Sequence, residues 1–409
     1  MAGLYIHIPF CERKCIYCSF YSVETLESKE RFLRALAQEI ELRAEALERE
    51  GAPVLRYDSL FLGGGTPSLL SPEELSGILT PLRRYFPIAP GAEITMECNP
   101  GALTSAWLEA YRELGINRIS FGVQSFHDDE LAFLSRIHTA DEARASIGLA
   151  RRFFENVSLD LIFALPHQTI ERWRANLLEG LRLGTEHFSA YSLIFEEGTR
   201  LNAMRLAGQV HPAPDGLEAD MYEETMSMLA AHGFEQYEVS NYARPGRSCR
   251  HNLGYWERRS YVSFGPSAHG FLRSAARQTR WANISNLTAY LGAVESGRLP
   301  EASREELTRV LILEELIFLG LRSSGIVLQE FHETAGFSLM DAAPAAIAML
   351  ANNGYAVHVG DRLKLTRAGY PFADRFALQL IEAVERAAPE VMARPVALPT
   401  LPVLAQTNA

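Results

Sequence analysis

The sequence predicts an α/β fold: a partial (β/α)6 TIM-type barrel followed by a small C-terminal α+β (winged-helix-like) domain. Two observations lead there. Short apolar runs with strand character alternate with amphipathic helical segments about six times before residue 210, the alternation of a parallel sheet with helices outside it. The residues least suited to packing, among them three closely spaced cysteines, the triplet Gly63-Gly64-Gly65, Glu97, Gln124 and Pro166, all fall just after strand ends. In α/β barrels that is the face on which active sites are built.

Leu4 to Ile8 reads as a short buried strand that Pro9 ends, since proline has no N–H for a ladder. Lys29 to Glu50 is an amphipathic helix, with Phe32, Leu33, Leu36, Ile40 and Leu47 on one side. Tyr57 to Leu62 is a strand running into the glycine triplet. Ser71-Pro72-Glu73-Glu74 then opens a helix with a capping box. Glu93 to Glu97 is the next strand, followed by a helix from Thr104 to Gly115. Arg118 to Phe121 leads to Gly122-Val123-Gln124 and a helix capped by Thr139, with Glu142 three residues on. Val157 to Phe163 is followed by a helix between Thr169 and Gly184, and His187 to Phe195 is the sixth strand.

From Pro212 the style changes. A helix from Asp215 to His232 and a strand at Tyr237 to Val239 are expected. The Tyr-, Asn-, Gly- and His-rich segments Asn241 to Ala243, Cys249 to Trp256 and Gly265 to Gly270 read as loops folded over the mouth. Ser303 to Leu321 reads as an apolar helix boxed by Ser303 and Glu306. Helices at Leu328–Ala335 and Asp341–Asn352 and a hairpin at Tyr355–Leu365 complete the winged-helix-like arrangement. The expected division is a barrel over 1–210, completing helix, strand and loops over 211–300, a small helical and hairpin domain over 301–388, and a disordered tail over 389–409.

Composition narrows the function. The net charge of -11 and the pI near 5.6 speak against nucleic acid as a partner, which asks for a basic face. The apolar stretches are too short to span a bilayer, and the N-terminus has neither the cationic nor the apolar region of a signal peptide, so a cytoplasmic location is expected. With 5 cysteines, an odd number, a disulfide framework is not expected. Cys11-x3-Cys15-x2-Cys18 places three thiols on one loop. Three thiolates can hold three irons of a 4Fe-4S cube and leave the fourth iron open for chemistry. A structural zinc site would need a fourth ligand, for which His7 is the nearby candidate. The fourth iron of a cube could instead take the amino and carboxylate groups of an amino acid. The backbone of Gly64, Gly65 and Thr66 could receive that amino group, and Glu97 could accept from it or from a ribose.

These motifs resemble the radical S-adenosylmethionine (SAM) superfamily. Within it, the chain is similar to the oxygen-independent coproporphyrinogen III oxidases and their HemW-type heme-chaperone branch. The likeness runs through Tyr5–Cys11, Phe61–Ser68, Glu97–Pro100, Ser120–Phe126, Asp160–Pro166 and His251–Trp256. It implies that Cys11, Cys15 and Cys18 ligate a 4Fe-4S cluster whose fourth iron binds SAM. Tyr5, Gly64, Glu97 and Ile194 match positions around that SAM. Tyr17, Gly65, Thr66, Gln124, Arg136 and Asp160 match positions that line a second SAM in the oxidase. Reductive cleavage of SAM to a 5′-deoxyadenosyl radical, fed by an external electron donor, is the chemistry the resemblance implies.

Two departures favour the chaperone branch. The oxidase has a further cysteine where this chain has Phe20, and it has a long extension before the position of Tyr5. The expected function is therefore heme binding and transfer to acceptor proteins such as respiratory heme proteins. The alternative is oxidative decarboxylation of coproporphyrinogen III. His251 is the leading candidate heme ligand and Cys249 the second. Cys15→Ala is expected to abolish the broad visible absorbance of the reconstituted cluster, with iron content falling to match; iron retained in full would refute the cluster assignment.

Overall fold

A computed structural model of the chain describes residues 1–101, 103–274 and 277–393. It divides into two compact units: Met1–Glu235 with Tyr242–His251 and Ser260–Glu305, and Gln236–Asn241 with Asn252–Arg259 and the chain from Glu306.

Six β-α units build the first. Strands β1 (Ala2–Ile8), β2 (Tyr57–Gly64), β3 (Ile88–Cys98), β4 (Arg118–Gln124), β5 (Val157–Phe163) and β6 (His187–Ser192) pair in parallel in chain order. Helices α1 (Lys29–Arg49), α2 (Pro72–Tyr85), α3 (Ser105–Glu113), α4 (Asp128–Phe133), α5 (Ala140–Ala150), α6 (Ile170–Leu183), α7 (Arg200–Leu206) and α8 (Asp215–Ala231) intervene or follow. The local signals operate as expected. Ser71 with Glu74 and Thr139 with Glu142 form complete capping boxes, Thr104 and Thr169 cap their helices, and Gly184 ends α6 at φ +71°.

The short strands β7 (Glu235–Gln236) and β8 (Asn241–Ala243), then β9 (Tyr261–Phe264), β10 (His269–Arg273), β11 (Gln278–Asn283) and β12 (Glu301–Glu306), extend the sheet to twelve strands. The order is β12-β11-β10-β9-β1-β2-β3-β4-β5-β6-β8-β7. The sheet keeps two edges, so the TIM-type barrel is partial and not closed.

Side-chain alternation explains where the core lies and where it does not. One face of the parallel strands carries Leu4, Ile6, Ile8, Leu60, Leu62, Met96, Ile119, Phe121, Leu159 and Leu161, all buried in the main hydrophobic core with α1, α2, α5 and α6. The alternate positions are Glu93, Thr95, Glu97, Arg118, Ser120, Ser158, Asp160, His187 and Ser189. A sheet covered on both faces usually reads apolar throughout. This inner face is polar.

Several expectations after Pro212 need correction. The segment Gly265–Gly270, expected as loop, is turn and coil through Ala268, and only His269 and Gly270 enter a strand, β10. On either side of it, β9 pairs parallel with β1, and β10 and β11 continue the sheet antiparallel. Each strand is only four to six residues long and flanked by turn formers, so its period-2 pattern is hard to separate from loop. Cys249–Trp256 likewise contains a helix, α9 (Arg250–Trp256). The strand expected at Tyr237–Val239 is replaced by β7 and β8 on either side of it, so Asn241–Ala243, expected as loop, is strand β8. Helix α10 (Leu287–Glu295) was not anticipated; Asn286 caps it. The helix expected from Ser303 starts later: residues 301–306 are the edge strand β12, and α11 (Arg309–Leu321) is capped by Thr308. Both hydroxyls offer a cap, but the apolar run begins only at Leu307, and helix formation follows the packed stripe.

The C-terminal unit packs α11 with α12 (Leu328–Ala335), α13 (Leu339–Ala342), α14 (Pro344–Asn352) and α15 (Ala373–Ala387) around its own core of Leu313, Ile317, Phe331, Leu350 and Leu380. Strands β13 (Ile326–Val327), β14 (Ala356–Val359) and β15 (Arg362–Leu365) form a separate antiparallel sheet in the order β13-β15-β14. The tail expected from residue 389 starts as a short helix, α16 (Pro389–Met392), and residues 394–409 lie outside the described residues. Among the described residues no helix is long and apolar enough to cross a membrane.

One buried carboxylate ties α1 to the late strands. Glu39 accepts from Gly265 N–H at 2.8 Å, Asn283 Nδ2–H at 2.6 Å and Tyr290 Oη–H at 2.6 Å. Burial pushes its pKa up, while nearby Arg43 and these donors oppose the shift. Arg43, itself buried, pairs with Glu301 and lies 4.7 Å from the centre of the Trp281 ring. Glu39→Ala is expected to destabilise the fold by about 3 kcal/mol, the usual cost of stranding a buried partner. Chemical denaturation measures it, and a loss below about 1 kcal/mol would mean the network is not what holds β9–β11 to α1.

Candidate cluster and cofactor site

The cysteine loop follows β1 and closes on itself. Val23 N–H donates to Pro9 O at 2.7 Å, and Cys11 N–H donates to Val23 O at 3.0 Å. Cys18 N–H donates to Cys15 O at 3.2 Å, which turns the chain between those two thiols. Ile16 O accepts from Leu201 N–H at 2.8 Å, tying the loop to α7. Ile16 and Tyr17 pack in a small apolar cluster with Leu134, Ile162, Leu165 and Leu201. The three thiols are free and half-buried. Burial pushes Cys18 up to about 11 and raises Cys11 as well. Left to themselves Cys11 and Cys18 hold their protons, so a ligand that takes them as thiolates must supply positive charge.

The second β-α loop presses directly on the first. Gly65 N–H donates to Ile8 O at 2.8 Å, and a Cβ on Gly65 would lie 2.6 Å from Phe10 O. Only glycine fits that approach. Gly64 stands at φ +109°, and a Cβ there would meet the His7 ring at 2.6 Å. Its N–H donates to Glu97 Oε2 at 3.1 Å. Next along the loop, Thr66 Oγ1–H donates to Cys11 Sγ at 3.7 Å. Arg136, on the chain between α4 and α5, donates from Nη1 to Cys15 Sγ at 3.4 Å and from Nη2 to Gly122 O at 2.6 Å and Asn99 Oδ1 at 2.7 Å. Its Nε–H is buried without a protein partner.

Below this mouth lies the polar inner face. Burial first, then the neighbouring Asp160, pushes Glu97 up to about 8; the Gly64 N–H and Arg118 oppose. Asp160 is pushed up to about 6 by burial, against the Ser120 hydroxyl, which donates at 3.4 Å, and Arg118. Arg118 is buried at 2% exposure and acts on Glu97, Asp160, His187 and His251 alike. Tyr5 belongs to the same layer. Its hydroxyl is 3.2 Å from His7 Nδ1, and its ring stacks on Phe61 at 6.3 Å.

The structure thus gathers Tyr5, Gly64, Gly65, Thr66, Glu97, Arg136 and Asp160 around the cysteine loop by direct contact or charge. Tyr17 joins them through Cys15 and Arg136, which affect its hydroxyl after burial does. Gln124 ends β4 in the left-handed region at φ +72°, turning the chain at the same rim. Ile194 lies past β6 and is exposed.

His251 is elsewhere. It sits at the start of α9 against the other end of β1 and β2, with Nδ1 3.0 Å from Ser59 Oγ and its backbone N–H on Glu93 Oε1 at 3.2 Å. Its ring stacks on Phe61 at 5.2 Å, and a Cβ on Gly3 would touch it at 3.0 Å. Burial lowers its pKa to about 3, so it is neutral. Cys249 is buried beside it, Sγ donating to Glu93 Oε1 at 3.4 Å. The sequence reading named no role for Arg118, Glu93 or Asn99. The signal was available in the alternation Glu93-Ile-Thr-Met-Glu97 and Arg118-Ile-Ser-Phe, which puts a polar or charged residue at every other position of the strand.

Among the described residues, no three His, Cys, Asp or Glu side chains converge as ligands of one metal ion. A cube asks something different, since each thiolate binds its own iron and the sulfurs stand apart. The donor set suits such a group. Three free thiols share one loop, a cation and a hydroxyl donate to two of them, and the glycine loop packs directly beside them.

Fold and site together define a radical SAM protein. The chain matches the family model of the Radical SAM superfamily over residues 5–178 and that of the HemN C-terminal domain over residues 307–372. It is 37% identical over 374 residues to the heme chaperone HemW of Bacillus subtilis, covering 90% of this chain and 96% of that one. It is 35% identical over 385 residues to HemW of Mycobacterium tuberculosis, covering 93% and 94%. The bovine mitochondrial radical S-adenosyl methionine domain-containing protein 1 is 37% identical over 339 residues, covering 81% and 76%. In fold, the chain is similar to the coproporphyrinogen III oxidase HemN of Escherichia coli, with TM-score 0.77, 22% identity and coverage of 93% and 89%. The chain belongs to the HemW family.

The raised pKa of Glu97 gives a pH dependence. The folded chain holds that proton up to about 8, whereas the unfolded chain releases it near 4.5. Between those values the folded state binds more protons, so stability falls as pH rises through the window. Glu97→Gln is expected to flatten the slope between pH 6 and 8, above the range in which Asp160 titrates. Denaturation midpoints across that range measure it, and an unchanged slope would refute the buried, protonated carboxyl.

Proposed function

We propose that this protein binds heme and hands it to acceptor proteins, respiratory heme proteins among them, with a 4Fe-4S cluster and SAM at the barrel mouth. The likeness to the Bacillus subtilis heme chaperone over nearly the full length of both chains carries this reading. Cys11, Cys15 and Cys18 would hold the cluster. When bound, cluster and SAM supply one-electron chemistry, drawn from an external donor. The chain's own residues do the positioning. Gly64 and Gly65 let their loop pack against His7, Ile8 and Phe10 beside the cysteines, where Glu97 would hold a proton next to the bound group and Tyr5 and Asp160 would line the pocket. Tyr17, Thr66, Gln124, Arg136 and Ile194 complete the proposed SAM pocket. We place the protein in the cytoplasm, a reading supported by five free cysteines, which suit a reducing compartment.

Heme ligation by His251 is compatible with this packing only if its ring leaves its place, because the ring is 3% exposed and wedged against Gly3, Ser59 and Phe61. The alternative activity, decarboxylation of coproporphyrinogen III, shares the barrel but lacks support at Phe20, where the oxidase family carries a cysteine.

The deciding experiment uses the anaerobically reconstituted protein with SAM and reductant, offered heme or coproporphyrinogen III. Stoichiometric heme uptake without protoporphyrinogen IX is expected, and turnover to protoporphyrinogen would overturn the chaperone reading. Uptake by His251→Ala, read from the heme absorbance, tests the ligand: an unaltered spectrum removes His251.

A further inference from the structure

Asn99 touches neither Cys11 nor Cys15, yet it contacts a donor to each of them. Its Oδ1 accepts from Arg136 Nη2 at 2.7 Å, and its Nδ2–H donates to Thr66 Oγ1 at 3.1 Å. The first contact leaves Arg136 Nη1 aimed at Cys15 Sγ. The second occupies one lone pair of the Thr66 oxygen, so the Thr66 hydroxyl proton is directed at Cys11 Sγ. Asn99 is itself fixed: its N–H donates to Ser68 Oγ at 3.2 Å, and Pro100 follows at the end of β3. One amide therefore orients a donor toward each of two thiols from opposite sides.

We propose that Asn99 is a positioning residue that sets the reduction potential of the cluster held by Cys11, Cys15 and Cys18. This rests on the cluster assignment above. Reduction adds one electron and no proton to the cube, so the reduced form carries one more negative charge. Hydrogen bonds donated to the ligating sulfurs stabilise that extra charge and raise the potential. An asparagine can serve both arms because it offers an acceptor and a donor on one planar group. Alanine serves neither, and aspartate accepts from Arg136 but gives nothing to Thr66.

The test is an EPR-monitored redox titration of the anaerobically reconstituted full chain without SAM, with iron and sulfide counted on each sample. Asn99→Ala is expected to make reduction about tenfold less favourable, a midpoint lower by about 59 mV for one electron. Thr66→Val should lower the midpoint too, while Thr66→Ser, which keeps the hydroxyl, should titrate with the wild type. Because Asn99 acts on Cys11 through Thr66, the double variant Asn99→Ala/Thr66→Val should shift less than the sum of the two. A midpoint unchanged in both Asn99→Ala and Thr66→Val, at full iron content, would overturn the proposal, as would strict additivity. Should Asn99→Ala fail to load iron, Thr66→Val against Thr66→Ser still decides whether the hydroxyl arm acts. Iron and sulfide retained in full by Cys15→Ala would instead mark failure of the cluster assignment.

Discussion

Arg118 is the group on which the inner face of the barrel depends. Five strands bring acidic or titratable side chains to one enclosed surface, and isolated charge there would cost several kcal/mol per group. A single buried guanidinium lies within electrostatic reach of Glu97, Asp160, His187 and His251. It favours ionised carboxylates and neutral imidazoles. The histidines comply fully, both driven below their ordinary value. The carboxyls comply in part, since burial outweighs the cation at each. The result is a gradient along the strands: His187 and His251 are neutral at the N-terminal end, and Glu97 holds its proton toward the mouth.

That gradient separates two sequence motifs that look equivalent on paper. Glu97 and His251 both sit in motifs shared with the family, yet one faces the cysteine loop and the other closes the far end of the strands. The local signals that a sequence carries, namely caps, strand periods and glycine triplets, are decided within a few residues, and they located all six β-α units and the site rim. The position of His251 is decided by Ser59 and Glu93, which lie more than 150 residues away in the chain. No pattern around Cys249–Trp256 reports such a partner. The same limit explains β9–β11, whose identity as strands comes from pairing with β1 and with one another, not from their own short periods. Ser303 was preferred to Thr308 as a cap for a related reason, because both satisfy the local rule and only packing chooses.

The two loops at the mouth constrain each other more tightly than either constrains its own helix. Gly65 meets the backbone oxygens of Ile8 and Phe10, Thr66 reaches Cys11, and Arg136 reaches Cys15 from a third unit. Each contact joins different β-α units, so the site is a property of their assembly. A substitution in one loop is therefore felt at the thiols of another, and Gly64 and Gly65 are required by the packing of this chain itself.

The pairing of β1 with both β2 and β9 also carries a consequence for biosynthesis. The strand that launches the cysteine loop gains its first neighbour when residues 57–64 leave the ribosome, but its second only when Tyr261–Phe264 follows. At ordinary rates of translation that interval of about 200 residues lasts roughly 10–40 s. During it the three thiols stand beside an unpaired strand edge. Metal delivery to the nascent chain and closure of its sheet are thus in a race, and the gene's order of strands sets the head start.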